Sequence, residues 1–597
     1  MSYALRRAPS AALLLATVLL AAACAEPTEP AAGGAGRDAG AGAEPELILT
    51  NANVYSFAWG EPGRDGTPAA DAPRGEAGWQ GDARALAVRD GEILALGSVA
   101  QIDALKGPAT RVVDLRGATV LPGLVDSHTH LFELGARLAR VDVYDVATEE
   151  EAVARVVEAA KAVPPGQWII GQGWDEGAWA NHYPTKALLS AAFPDNPVYL
   201  RGLHGFAGWV NQRALDAAGI TAATPSPSGG EIRKGADGEP TGLFLNRAVP
   251  LMDEAIPAPT AAEEQALVLA GMRQMARDGY VAVHDAGDDA GHIAALQALE
   301  ARGELPIRYY AMLSLRDAPL IREWIERGPQ TDMERMLVIR AIKGYYDGSL
   351  GARGARLLED YEDMPGHRGV SGDDYGYDQA LAAEAMKRGF QLAIHAIGDE
   401  GNRDTLDFIE AVGREAPATR AGRHRIEHAQ VVSPEDIPRF GQLGVIASME
   451  PPHAVEDKPW AEDRLGADRI LGAYAWRSLR RTGATLTFNA DNPGSDHSIF
   501  YGLHAAVTRR DKDMEPPGGW YPEEALTGEE AVRAYTGWSA YSAFMEDRTG
   551  VLAPGRWADI TVMDVDPLAL AETAPGAILD GRILMTVVGG KVVYEAP

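Results

Sequence analysis

The sequence predicts an α/β protein: a (β/α)8 barrel, a small β domain contributed by both ends of the chain, and an inserted lobe. Three observations lead there. Through the middle of the chain a helix end, a glycine and an apolar strand recur as a unit, with Gly279, Gly389, Gly444 and Gly483 at the junctions. Short apolar strands with hairpin turns stand at both ends, and an aromatic-rich, Pro/Gly-rich stretch interrupts the repeat at about 149–261. A glycine after a helix supplies its left-handed cap, and a strand apolar on both faces suits a parallel sheet covered on both sides. The 597 residues suffice for a large barrel with accessory domains.

At the N-terminus, Arg6 and Arg7 precede an apolar run at 11–23, which falls short of the ~20 residues needed to span a bilayer. Small residues lead into Cys24. This resembles a bacterial secretory signal of the lipoprotein type, with Cys24 lipidated; ordinary cleavage nearby and an uncleaved anchor are the alternatives. The expected organisation is a signal peptide at 1–24 and a flexible linker at 25–45, rich in Ala, Gly, Pro and Glu without an apolar period. Such a protein is exported and lipid-anchored at the cell envelope, facing the periplasm, with Ala25 favouring the outer membrane. Cys24 is the only cysteine, so its lipidation excludes disulfides, thiolate ligands and cysteine nucleophiles from the mature fold. A net charge of −30 argues against nucleic acid and anionic membrane surfaces as partners, leaving the lipid anchor as the expected membrane contact. A homo-oligomer is compatible with the sequence, which carries no signal for oligomeric state.

The small β domain is expected at 46–120 and 545–597. ELILTNANVYSF reads as a strand pair, and an exposed loop follows at 60–81. RALAVRDGEILALG places Asp90 and Gly91 as a hairpin turn, RVVDLRGATVLPG repeats the pattern, and RILMTVVGGKVVYE turns at Gly589 and Gly590. The barrel occupies 121–544. His284, His395, Glu450 and Asp491 follow apolar strands, and the carboxyl ends of barrel strands are where a catalytic barrel places its chemistry. The lobe's tryptophans, Trp168, Trp174, Trp179 and Trp209, read as core before pocket.

Candidate chemistry begins with LPGLVDSHTH at 121–130. Side chains alternate along a strand, so His128 and His130 converge on one point, as half of a metal site would require. An exposed loop holding two of the thirteen histidines is the alternative. Lys343 in IKGYYDGSLG, His395 in QLAIHAIGD, His428 in HRIEHAQ and Asp491 in TLTFNAD also follow apolar runs. Each alone would read as a surface lysine or a structural polar residue; jointly they suggest one site.

In family order, LPGLVDSHTH, GWDEGAW, IKGYYDGSLG, AIHAIGD, RIEHAQ, PWAEDRLG, AYAWRSL and LAPGRWADITVMD resemble the amidohydrolase superfamily, and within it the YtcJ-like branch (amidohydrolase 3 type). The resemblance implies a distorted (β/α)8 barrel with a β-sandwich from both termini. It implies two divalent metal ions, expected to be zinc, on His128, His130, Lys343, His395, His428 and Asp491. Lys343 would be N6-carboxylated and bridge the ions, with His128, His130 and Asp491 on one side and His395 and His428 on the other. A buried lysine lowers its pKa readily, which leaves a neutral amine able to take up carbon dioxide. A shared, acidified water would attack a carbonyl, with Asp491 as catalytic base and then acid. The implied reaction is hydrolysis of a non-peptide carbon–nitrogen bond, amide or N-acyl, in a small-molecule substrate. An ester or lactone hydrolase and a non-catalytic, barrel-based binding protein are the alternatives.

Candidate substrate contacts are His453, Arg353, Trp174 and His204, each with a structural alternative. Asp175 shares the lobe motif of Trp174. Two departures from the family pattern stand out: Phe206 follows Gly205, with His204 ahead of both, and NADNP surrounds Asp491. The first leaves the lobe's substrate contacts open, while the second retains the aspartate and proline.

Overall fold

The computed structural model describes residues 44–597 apart from 145, 175–182, 203–206, 228 and 247. The expectations for the signal segment, Cys24, most of the linker, Asp175, Trp179 and His204 fall outside the described residues. No described helix is long and apolar enough to cross a membrane.

Eight strands form one parallel sheet: β1 (Leu124–Thr129), β2 (Tyr280–Asp288), β3 (Arg308–Ser314), β4 (Leu337–Tyr345), β5 (Gln391–Ala396), β6 (Arg425–His428), β7 (Ile446–Met449) and β8 (Leu486–Phe488). Neighbours in sequence are neighbours in the sheet, which curls into a nearly closed barrel. Gly279, Gly389, Gly444 and Gly483 all take left-handed φ, between +67° and +100°, where the preceding helix stops. Between β1 and β8 there is no continuous ladder. Instead the Ser127 hydroxyl donates to Phe488 O at 3.0 Å, Thr129 bridges Asn492, and His130 N donates to Asn492 O at 2.8 Å. The barrel is thus drawn together beside His128, His130 and Asp491.

His284 departs from the expectation that it follows its strand. β2 continues to Asp288, so His284 sits mid-strand, buried, with Nδ1 3.2 Å from Arg425. The polar run HDAGD remains in the sheet because β3 pairs with it through to Asp288 and β1 pairs with it as far as Asp285, which takes up its backbone hydrogen bonds.

The two termini build two sheets. One is ordered Glu92–Gly97, Ala85–Arg89, Leu47–Thr50, Arg111–Asp114; the other Asn53–Val54, Thr119–Pro122, Ile560–Met563, Ile583–Val588, Lys591–Glu595. Asp90-Gly91 and Gly589-Gly590 form their hairpins with φ positive at both turn residues, as a two-residue turn between twisted strands requires. The segments at 46–57 and 111–122 are not strand pairs. Positive φ at Asn51 and at Arg116 turns the chain from one sheet into the other. Leu49, Leu86 and Val88 of the first sheet share an apolar cluster with Val120, Ile560 and Val587 of the second.

The lobe is a six-stranded mixed sheet that begins at Val141, ahead of the break read at 149, because Val141–Asp142 pairs in parallel with Gly171 and Gln172. Trp174 and Trp209 meet edge to face at 6.1 Å in its core, and Trp168 packs against a second cluster on the lobe.

At the amino end of β3, Arg308 holds Asp559 through two hydrogen bonds of 2.8 and 3.2 Å, both side chains buried, and lies over the Trp557 ring at 3.6 Å. Asp559 also accepts from Gly589 N at 2.8 Å, so the pair fastens the barrel to the C-terminal strands. Removing one member leaves a buried charge without its partner. Asp559→Ala should lower unfolding free energy by about 3–5 kcal/mol, read from urea denaturation.

Candidate metal centre

The carboxyl ends of four barrel strands, β1, β4, β5 and β6, and the loop after β8 bring all six candidate ligands into one pocket. His128 is buried within β1 and His130 caps the helix that follows, Leu131–Ala139. Their period-two spacing aims both rings at Asp491: Oδ1 is 3.5 Å from His128 Nε2 and 3.2 Å from His130 Nε2. Lys343 Nζ, from β4, lies 2.9 Å from His128 Nε2. His395 from β5 and His428 from β6 face each other with ring centroids 4.4 Å apart, and His428 is 5.1 Å from His128.

Two ligands occupy backbone conformations that side-chain-bearing residues seldom adopt, φ +73° at His428 and +48° at Asp491. Around Asp491 the conformation is held by Asn489, whose Oδ1 accepts from Asp491 N at 3.0 Å while its amide donates to Ser448 Oγ and Met449 O. On the other side, Asp285 accepts from Leu131 N at 2.6 Å and from the Thr129 hydroxyl at 3.3 Å, which fixes the turn carrying His130.

Carboxylates behind the ring orient the imidazoles. His128 Nδ1 lies 2.7 Å from Glu427 Oε2, and His428 Nδ1 lies 3.1 Å from Glu450 Oε2. With each Nδ1 proton donated backwards, Nε2 presents its lone pair to the pocket. Glu427 is in turn gripped by Arg425, which also donates to Ser127 O and Ser448 Oγ at 2.6 and 2.7 Å. Burial opposes ionisation of Glu427, but the charge of Arg425 and the hydrogen bond from His128 outweigh it and hold its pKa well below the usual range.

The same competition acts on the ligands. Burial, helped by the Lys343 charge, pushes the His128 imidazole down to about 4, so it is a neutral donor. Burial also lowers the Lys343 ammonium to about 8, against the pull of Glu427 and Asp491. For Asp491 burial works upward, yet attraction to His130 keeps the carboxyl ionised with its pKa well below the usual range.

This donor set fits a divalent metal. Two atoms each ~2.1 Å from one ion stand roughly 3.0–3.5 Å apart; the separations from Asp491 Oδ1 to the two Nε2 atoms match that. Among the described residues, Asp491 Oδ1 and His395 Nε2 are buried without a hydrogen-bond partner, a costly condition that coordination relieves for the carboxylate. His128, His130 and Asp491 form one ligand group, and His428, Glu450 and His453 a second beside it.

The candidate substrate contacts separate. His453 lies at the pocket edge in the helix Pro451–Asp457, its ring parallel to His428 at 6.2 Å and its Nδ1 3.6 Å from Glu450. Arg353 is taken up by Asp363 through two hydrogen bonds of 3.1 and 2.8 Å. Trp174 is enclosed in the lobe and donates to Leu200 O at 2.9 Å, a core position set by the apolar sheet around it rather than a ligand contact. His204 lies outside the described residues.

Sequence reasoning missed Arg425, Glu427, Asn489 and Asp285. A signal existed for the first two: charged residues at period two within the apolar strand β6 point together into the barrel. Glu427→Gln should weaken metal binding roughly 10–100-fold, measured by titration of metal-free protein, with the circular dichroism spectrum unchanged.

Comparison with known proteins accords with this geometry. Residues 111–594 match the model of the amidohydrolase family. YtcJ of Bacillus subtilis (strain 168), a proposed amidohydrolase, is 33% identical over 521 residues, covering 86% of this chain and 96% of YtcJ. The N-substituted formamide deformylase of Arthrobacter pascens is 28% identical over 535 residues, covering 86% and 95%. Among solved structures, an uncharacterized metal-dependent hydrolase from Pyrococcus furiosus superposes with a TM-score of 0.69 at 27% identity, covering 87% of this chain and 99% of that one. Matched across most of its length by the family model and by relatives of similar extent, the chain belongs to the amidohydrolase family.

Proposed function

We propose that the protein hydrolyses a carbon–nitrogen bond, of amide or N-acyl type, in a small molecule, with Asp491 as general base and then acid. The observation that carries this reading is the position of Asp491. One oxygen, Oδ1, is buried against His128 and His130, which leaves Oδ2 of a side chain that is 23% exposed to exchange a proton with substrate. The name of the Arthrobacter pascens relative, an N-substituted formamide deformylase, supports the carbon–nitrogen class.

Two divalent ions, zinc by the preference of imidazole and carboxylate donors, would be held by His128, His130, Lys343, His395, His428 and Asp491. Bound there, they supply Lewis-acid polarisation of a carbonyl and acidification of water. A lysine lowered to about 8 keeps a neutral fraction near neutral pH, and the neutral amine of Lys343, once carboxylated, would supply an anionic oxygen ligand. Asp491 receives a proton and returns it to the departing nitrogen, while Glu427 and Glu450 hold His128 and His428 in one tautomer. We read the two terminal sheets as the faces of a β-sandwich about their shared cluster, and the lipid anchor on Cys24 as the tie to the cell envelope.

Asp491→Asn should reduce kcat by roughly 10²–10⁴-fold on the best amide substrate. An unchanged rate would remove Asp491 from the chemistry. Dialysis against a chelator should abolish hydrolysis and added zinc should restore it. A panel of amides with matched esters reads the bond class: preferential cleavage of the esters would reassign the enzyme.

A further inference from the structure

A cavity of about 520 Å³ opens where the helix Leu131–Ala139 meets the lobe strand Ile169–Trp174, with Glu133, Arg137, Arg140, Tyr144 and Gln172 as its polar lining. Leu131, Phe132 and Leu134 pack into the main core. Glu133, Arg137 and Arg140, spaced four and then three residues apart, therefore share another face of the chain, turned to the lobe. None of the six candidate ligands lines this cavity.

Its donors are held by a chain of hydrogen bonds. Arg140 Nη1 donates to Gln172 Oε1 at 2.7 Å, and Gln172 Nε2 donates to the Tyr144 hydroxyl oxygen at 2.9 Å. Having accepted there, that hydroxyl keeps its own proton to donate, and no described residue takes it. The ring is seated against Gly173, whose φ is +113°; a Cβ at that position would stand 2.4 Å from Tyr144 Cδ2. Arg137 Nη1 donates to Pro493 O at 3.0 Å. Each guanidinium thus meets a neutral acceptor and, among the described residues, neither has a carboxylate within ion-pair distance, although Glu133 lines the same cavity. Burial and the charge of nearby Arg201 lower the Arg140 pKa, and Arg201 is itself committed to Asp253 at 3.0 Å. In a chain of net charge −30, two such guanidiniums on one cavity make a local positive field.

We propose that this cavity binds phosphate, as the free ion or as a monoester, between Arg137, Arg140 and Tyr144. Two guanidiniums balance the roughly two negative charges of a phosphate group near neutral pH, and their planar forks match its oxygens. The Tyr144 hydroxyl serves a further oxygen. A carboxylate, with two oxygens and one charge, would leave part of this donor set unused. Through the bond from Arg137 to Pro493 O, bound phosphate also ties the helix that follows His130 to the loop that carries Asp491.

Calorimetric titration of the intact, metal-loaded protein with inorganic phosphate and with glycerol 2-phosphate, at ionic strength fixed with chloride, tests the site. One phosphate group should bind per chain, and Arg137→Gln and Arg140→Gln should each weaken binding roughly 10- to 150-fold. Arg213→Gln removes an exposed lobe arginine outside the cavity and should change affinity by less than about twofold. Tyr144→Phe deletes one oxygen, leaves the ring against Gly173 and should cost roughly 3- to 10-fold. Circular dichroism of each variant without phosphate checks its fold. Tighter binding of the ester identifies an organic monoester and tighter binding of the free ion identifies phosphate itself; both bear the site out. No saturable binding, an equal loss in Arg213→Gln, or unchanged affinity in the cavity variants, which would put phosphate on the metals, overturns the proposal.

Discussion

Arg425 lies inside the barrel, fully enclosed, and its guanidinium joins β6 to β1 and β7 through Ser127 O, Ser448 Oγ and both oxygens of Glu427. Burying an ion pair costs several kcal/mol before any attraction is counted, so such a pair is weak evidence of stability for its own sake. Its effect here is directional. Arg425 keeps Glu427 ionised, Glu427 holds the Nδ1 proton of His128, and Nε2 is thereby left to face the pocket. A neutral, correctly turned imidazole at a fully buried candidate ligand position depends on a charge two groups removed from it.

The rest of the centre is organised around the seam between β1 and β8. A continuous ladder there would hold both strands flat, with their residues facing in fixed alternation. The Ser127, Thr129 and His130 contacts close the barrel while letting the chain after β8 turn through a left-handed residue and present Asp491 to the two histidines. Asn489 holds the strained backbone at Asp491, and Asp285 fixes the turn carrying His130 on the other side. Strained backbone at a functional position persists only when its surroundings over-determine it, and Asn489 supplies hydrogen bonds that do so at Asp491.

The candidate ligands and the candidate substrate contact His453 stand on different kinds of segment. The candidate ligands His128, Lys343, His395 and His428 stand on strands braced by parallel neighbours, whereas His453 comes from a helix beyond the strand ends. Loops on a rigid scaffold can alter without disturbing the chemistry beneath them, which is how one barrel serves many substrates.

Much of this architecture is local and was therefore legible in the residues. Helix-capping glycines, apolar strands and the turns at Asp90-Gly91 and Gly589-Gly590 follow from backbone preferences that act over a few positions. The pairing of His128 with His130 follows from strand periodicity alone, and motif order pointed to the amidohydrolase family that the comparisons then established. Sequence patterns could not show that 46–57 divides between two sheets, that β2 runs on past His284, or that Trp174 is enclosed, because each is decided by which strand or face lies opposite. The hold of Arg425 on His128 through Glu427 belongs to the same class. Sequence by itself determined the candidate ligand types and the apolar runs they follow; only the tertiary structure decided their partners, since burial and charge compensation arise between residues hundreds of positions apart.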